Sequence, residues 1–101
     1  MNSNEIQNAY VNLYTQIRKY IWPFDVIDIL VDLEIESFKS FPDVMKLREL
    51  LDRLHREIQS TLSDDKDFET AYLSFKKLID DDNIMYKLLE QVREVISNDN
   101  P

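Results

Sequence analysis

The stretch IWPFDVIDILVDLEIESF, residues Ile21 to Phe38, is compatible with two different secondary structures. From Val31 to Glu36 apolar and acidic residues alternate, which is typical of a half-buried strand. Over the whole stretch, however, acidic residues recur at steps of three and four, which is typical of one helix face; they are Asp25, Asp28, Asp32 and Glu36. Whether the segment is a strand or a helix decides on which face these carboxylates lie.

The helical interpretation is favoured because a strand needs a partner for its backbone. No other segment alternates for more than a few residues, so a strand here would have to pair across a dimer. As a helix, the stretch has one apolar face of Phe24, Ile27, Leu30, Val31, Ile35 and Phe38, widened by Val26, Ile29 and Leu33. We therefore expect a central helix, packed on both flanks. Only a narrow polar stripe should reach water, formed by Asp25, Asp28, Asp32, Glu36 and Lys39.

The composition indicates one all-α domain. The chain has 101 residues, of which 44% are hydrophobic and 32% charged, which is too apolar for a disordered protein. It contains no Gly and only three Pro, which favours helices joined by short polar loops and excludes Gly-rich nucleotide-binding motifs. The absence of Cys excludes disulfides and thiolate metal sites.

Apolar periodicity predicts a single-domain bundle of four to five short helices, at roughly 4–20, 23–39, 42–62, 66–80 and 83–96. Pro23 should end the first helix near Tyr20 and fall in the first turn of the second. Ser40 is the predicted cap of the third helix, with Pro42 in its first turn, and Ser63 or Asp64 that of the fourth. The predicted core positions of helices one, three and four are Ile6, Tyr10, Leu13, Tyr14, Ile17, Ile21, Val44, Leu47, Leu51, Leu54, Ile58, Phe68, Tyr72, Phe75 and Ile79.

Few residues suggest catalysis or metal binding. His55 is the only histidine, and the Asp52-x-x-His55 spacing lacks the second copy that a di-iron bundle needs. Pairs such as Asp28 with Asp32 could in principle hold a divalent cation, but a solvated polar stripe is the favoured explanation. We therefore predict a protein that is not an enzyme, with no catalytic residue, no cofactor and no metal site.

The charge points to a protein partner. A net charge of −8 opposes binding to nucleic acid or to an anionic membrane, and it favours a basic partner. The candidate partner-binding residues are Trp22, Asp25, Asp28, Asp32 and Glu36. The segment MNSNEIQNAY has no basic region followed by an apolar run, so we expect no signal peptide and a cytoplasmic location.

Size, acidity and helical content are similar to those of small bacterial immunity proteins, which protect a cell from its own bacteriocin. The resemblance covers architecture alone, and it implies a toxin as partner. The composition, rich in Asn, Ile, Lys and Asp, suggests a low-GC bacterium or its phage. The predicted function is a small acidic adaptor or regulator that binds another protein. The alternative is an acidic inhibitor or immunity protein that binds a basic toxin or a nucleic-acid-binding protein. The chain could also form a homodimer, in which its partner is a second copy of itself.

Overall fold

A computed structural model describes residues 2–80 and 89–95 and shows an all-α protein. The helices are α1 (Asn2–Ile17), α2 (Phe24–Ser37), α3 (Val44–Leu62) and α4 (Lys66–Asp80). Residues 89–95 are also helical, within the predicted fifth helix, whereas its predicted start and the break before it lie outside the described residues. No strand occurs in the described ranges, so the helical interpretation of α2 is confirmed.

The four long helices form a ring around one apolar core. α1 packs against α2 and α4, and α3 packs against the same two helices. All four supply buried side chains, and the predicted seam of α3 and apolar face of α4 are confirmed. Because each helix contributes one face to the core, the opposite face of α2 is exposed.

α1 ends at Ile17 rather than near Tyr20. The indole Nε1 of Trp22 donates a hydrogen bond of 2.8 Å to the Ile17 carbonyl, which supplies a side-chain partner where the helix ends. Pro23 does not enter the first turn of α2 but precedes it, with an extended backbone at φ −68° and ψ 164°. The connection between α1 and α2 is therefore longer than predicted, and it brings Trp22 back against α1.

The predicted caps of α3 and α4 are wrong. Asp43, not Ser40, caps α3, since its Oδ1 accepts hydrogen bonds from the Met45 and Lys46 backbone N–H groups at 3.0 and 3.2 Å. Pro42 consequently lies before α3, where it is buried. Asp65, not Ser63 or Asp64, accepts a hydrogen bond of 3.0 Å from the Phe68 N–H at the start of α4. In both places the aspartate immediately before the helix satisfies N–H groups of its first turn.

The face that α2 buries also differs from the prediction. The buried apolar residues are Val26, Ile29, Leu30 and Leu33, the set expected to widen the apolar face. Most of the predicted main face is exposed instead, namely Phe24, Ile27, Val31, Ile35 and Phe38. Tyr14 and Ile21, two predicted core positions of the first helix, are exposed as well. α2 is therefore a peripheral helix with an apolar outer surface, not a central one packed on both flanks.

Candidate protein-binding surface

An open groove of about 420 Å³ runs between α1 and α2. Its described lining is apolar and aromatic apart from Arg18. We call it the α1–α2 groove, and the residues that define it are Tyr14, Ile21, Trp22, Ile27 and Val31. It joins two helices with the turn between them, so it is a surface that forms only in the folded bundle.

A row of exposed apolar side chains continues from the groove along α2. We call it the α2 stripe; it consists of Phe24, Ile27, Val31 and Ile35, which are between 40% and 84% exposed. Their spacing of three, four and four residues places them side by side on one helix face. Isolated exposed apolar residues are ordinary, but a contiguous row is typical of an interaction surface.

Aromatic rings form the α1 wall of the groove. The ring of Tyr10 stacks on that of Tyr14 at a centroid distance of 6.0 Å and meets Phe38 edge-on at 6.1 Å. The Tyr10 hydroxyl donates to the Leu30 carbonyl at 3.4 Å, which ties this wall to α2. Burial, and then the charge of Glu34, raise the pKa of Tyr10, so the hydroxyl stays protonated as a donor. The wall is thus held by contacts on both helices.

Trp22 closes one end of the groove. Its ring is partly buried against the core and lies 6.1 Å from the ring of Tyr20, while its Nε1 is bonded to Ile17. The Tyr20 hydroxyl in turn donates to Asp65 Oδ2 at 2.9 Å. Trp22 therefore fills a corner of the structure and also presents part of its ring to the groove.

The exposed carboxylates of α2 lie on both sides of the stripe. At 100° per residue, Asp28 and Asp32 lie on one side of Val31, with Asp25 beyond them, and Glu34 lies on the other side. α2 contains no Lys or Arg. Across residues 2–80 and 89–95, none of these four carboxylates forms an ion pair, whereas Asp52 and Asp80 pair with Lys76 and Arg48. Among the described residues, Asp25 alone of the four accepts a hydrogen bond, from the Val26 N–H to its Oδ1.

Glu36 does not belong to this acidic surface. Its side chain is only 2% exposed, and it accepts hydrogen bonds from the Asp43 backbone N–H and from Lys39 Nζ, both at 3.0 Å. Lys46 Nζ lies 3.6 Å away. Burial raises the pKa of Glu36, but the two hydrogen bonds and the charges of the lysines outweigh burial and lower it below its ordinary value. The expectation that Glu36 shares a water-facing stripe with Asp25, Asp28 and Asp32 is wrong.

His55 lies outside the groove, on α3. Its ring is partly buried and stacks on Tyr72 at 4.2 Å, and its Nε2 lies 3.7 Å from Glu69 Oε2. Asp52, three residues before it, faces Lys76 at 4.0 Å. In the part of the chain that the structure describes, no three His, Asp or Glu side chains come together in a way that could hold a metal ion. The contacts of His55 are those of an aromatic residue at the edge of the core.

Of the residues selected from the sequence, Trp22 lines the groove, whereas Asp25, Asp28 and Asp32 are exposed on α2 beside the stripe. Sequence reasoning missed the apolar residues between them, because an apolar residue in an amphipathic helix is normally assigned to the core. The available signal was the excess of apolar residues around α2, more than one buried face requires.

No protein-family model, curated protein or solved structure matches this chain. Among the described helices, none is both long and apolar enough to cross a membrane.

Proposed function

We propose that this protein is a non-enzymatic adaptor or regulator that binds another protein through the α2 stripe and the α1–α2 groove. The observation that carries the proposal is the exposure of Phe24, Ile27, Val31 and Ile35 as one continuous row on a helix whose opposite face is in the core. Burying such a row under a partner removes apolar surface from water, which is the main driving force of protein association.

The charges around the stripe support a basic partner. Asp28, Asp32 and Glu34 remain without ion pairs among the described residues, and the whole chain carries a net charge of −8. Carboxylates at the rim of an apolar contact accelerate association with a cationic surface and disfavour anionic competitors. The same charges support the alternative function, an acidic inhibitor or immunity protein for a basic toxin, which would use the same surface.

The test is capture from the native host with matched variants. Val31→Asp places a charge in the α2 stripe at a residue that is 46% exposed, so the bundle should still fold. Leu73→Asp makes the same kind of change at an exposed residue of α4, outside the groove. We expect a partner that is captured by the wild type and by the Leu73 variant but lost with the Val31 variant.

Circular dichroism of each variant confirms that the helices are retained. Capture that is equal for all three proteins, or lost equally with both variants, would show that the α2 stripe is not the binding surface. If the captured protein is a toxin, this result favours the inhibitor function over the adaptor function. A growth assay then tests whether the protein protects cells from that toxin.

A further inference from the structure

We infer that the segment of the partner that docks in the α1–α2 groove is a cationic amphipathic helix. The inference rests on the proposed function and specifies its ligand. It follows from the shape of the groove, from the spacing of its apolar residues and from the position of the carboxylates.

The surface fits a helix better than an extended peptide. An extended peptide gains its affinity from backbone hydrogen bonds to a sheet edge, and the described part of this chain contains no strand. A helix satisfies its own backbone and needs only a groove between side chains, which two adjacent helices supply. The stripe repeats at steps of three and four residues, so its apolar side chains interdigitate with a partner helix of the same period. α2 has 14 residues, about 21 Å at 1.5 Å per residue, which accommodates about four turns of a partner helix.

The charges determine the polar flanks of that helix. Asp28 and Asp32 lie on one side of Val31 and Glu34 on the other, so a helix lying on the stripe would have carboxylates along both edges. Lys or Arg residues beside its apolar face would meet them. Tyr14 and Tyr20 also line the groove, where each residue is about 40% exposed and within reach of an incoming cationic side chain. Arg18, at the end of the groove near Trp22, disfavours a cation there and suits the negative C-terminal end of the helix dipole.

Two other occupants fit less well. A second copy of this chain would bring α2 with its exposed carboxylates against an identical set, and like charges at close range disfavour that contact. The helical segment 89–95 of this chain lies elsewhere, since Leu89 and Val92 line a different pocket with Phe41 and Met45. The cationic helix is the occupant that satisfies both the apolar row and the charges.

Trp22 provides a direct readout because it is the only tryptophan and it lines the groove. The probe is a synthetic Leu/Lys amphipathic peptide of about 18 residues without tryptophan, about 27 Å long as a helix. We expect a saturable change in Trp22 emission at one peptide per chain. A peptide with the same Leu positions and Glu in place of Lys should produce no change.

Matched variants locate the binding. Val31→Asp should abolish the change and Leu73→Asp should leave it intact. The double variant Asp28→Asn with Asp32→Asn should weaken binding about three- to tenfold at low salt and reduce its salt dependence. A double variant at two carboxylates remote from the groove, Glu49→Gln with Glu57→Gln, is the control for general attraction to an acidic protein. Both residues are exposed on α3.

The inference is overturned if the Lys peptide causes no change in Trp22 emission, if the Glu peptide binds as well, or if the Val31 variant binds like the wild type. It is also overturned if the remote double variant weakens binding as much as the Asp28 and Asp32 double variant does. Failure of this kind is distinct from failure of the proposed function. If the Lys peptide does not bind while capture of a host protein still depends on Val31, the docking surface is correct and its ligand is not a cationic helix. If neither depends on Val31, both proposals fail.

Discussion

The buried carboxylate of Glu36 accepts a hydrogen bond from the backbone N–H of Asp43 at 3.0 Å, while the carboxylate of Asp43 caps α3. The end of α2 and the start of α3 are therefore joined by two acidic side chains in series. Lys39 and Lys46 supply the charge that a buried carboxylate needs. An acidic residue that looked like part of a binding surface is instead a structural link between two helices.

Replacing Glu36 should weaken the fold and change its response to acid. Glu36→Ala should cost about 1–3 kcal/mol, because it leaves the Asp43 N–H without its partner. Since the folded pKa of Glu36 is lowered, its contribution is present above the unfolded value of 4.5 and is lost as the pH falls through the folded value. Urea denaturation of Glu36→Gln at several pH values should show a shallower loss of stability in acid. Glu34→Gln, an exposed change on the same helix, is the control, and equal acid responses would contradict the assignment.

Ser37→Ala should leave stability unchanged or raise it by up to about 1 kcal/mol. The Ser37 side chain is fully buried, and its hydroxyl oxygen forms no hydrogen bond among the described residues. Removing a buried polar group without a partner removes its desolvation cost. Chemical denaturation of both proteins measures the difference. A loss of more than about 1 kcal/mol would mean that the hydroxyl has a partner.

Two substitutions within α2 test which side of the helix is in the core. Leu33 is 0% exposed and Ile27 is 40% exposed. Leu33→Ala should lower the free energy of unfolding by about 2–5 kcal/mol. Ile27→Ala changes a partly covered site and should lower it by only about 1 kcal/mol. Thermal or urea unfolding gives both values. Equal costs would mean that the two faces are buried alike and that α2 is a central helix after all.

Sedimentation equilibrium at about 10–100 μM tests whether the exposed stripe causes self-association. The carboxylates beside the stripe oppose contact between two copies, so we expect a monomer of 12.1 kDa at low salt. Val31→Asp should remain folded and monomeric, whereas Val26→Asp should unfold, because Val26 is in the core. A dimer that Val31→Asp dissociates without loss of helicity would instead assign the stripe to a two-fold interface.

The sequence predicts the helices well because spacing at three and four residues is a local property. It predicts the buried faces of α3 and α4 because polar residues cover the opposite side of each. It fails at α2 for a physical reason: apolar residues occur on both sides of that helix, so periodicity cannot select the inner one. Packing against α1 and α3 selects the side of Leu33 and leaves the side of Val31 exposed.

The burial of Glu36 is a second feature that spacing within α2 could not predict. Each step of four residues advances about 40° beyond a full turn, so Asp28, Asp32 and Glu36 move progressively around the helix. Asp28 and Asp32 are still exposed, but Glu36 has rotated towards the start of α3 and is buried. The lysines that pair with the Glu36 carboxylate there, Lys39 and Lys46, come from two different segments. A spacing rule within one helix contains no information about them.

The hydrogen bond from the Tyr20 hydroxyl to Asp65 has a consequence for how the native state opens. Asp65 also caps α4, so the turn beside Trp22 and the first turn of α4 share one carboxylate. Local unfolding of either segment deprives the other of a bond, and the two should therefore open as one cooperative unit. Opening the end of the groove that holds Trp22 would then also disturb the start of α4, so folding of the bundle orders this end of the site before a ligand arrives.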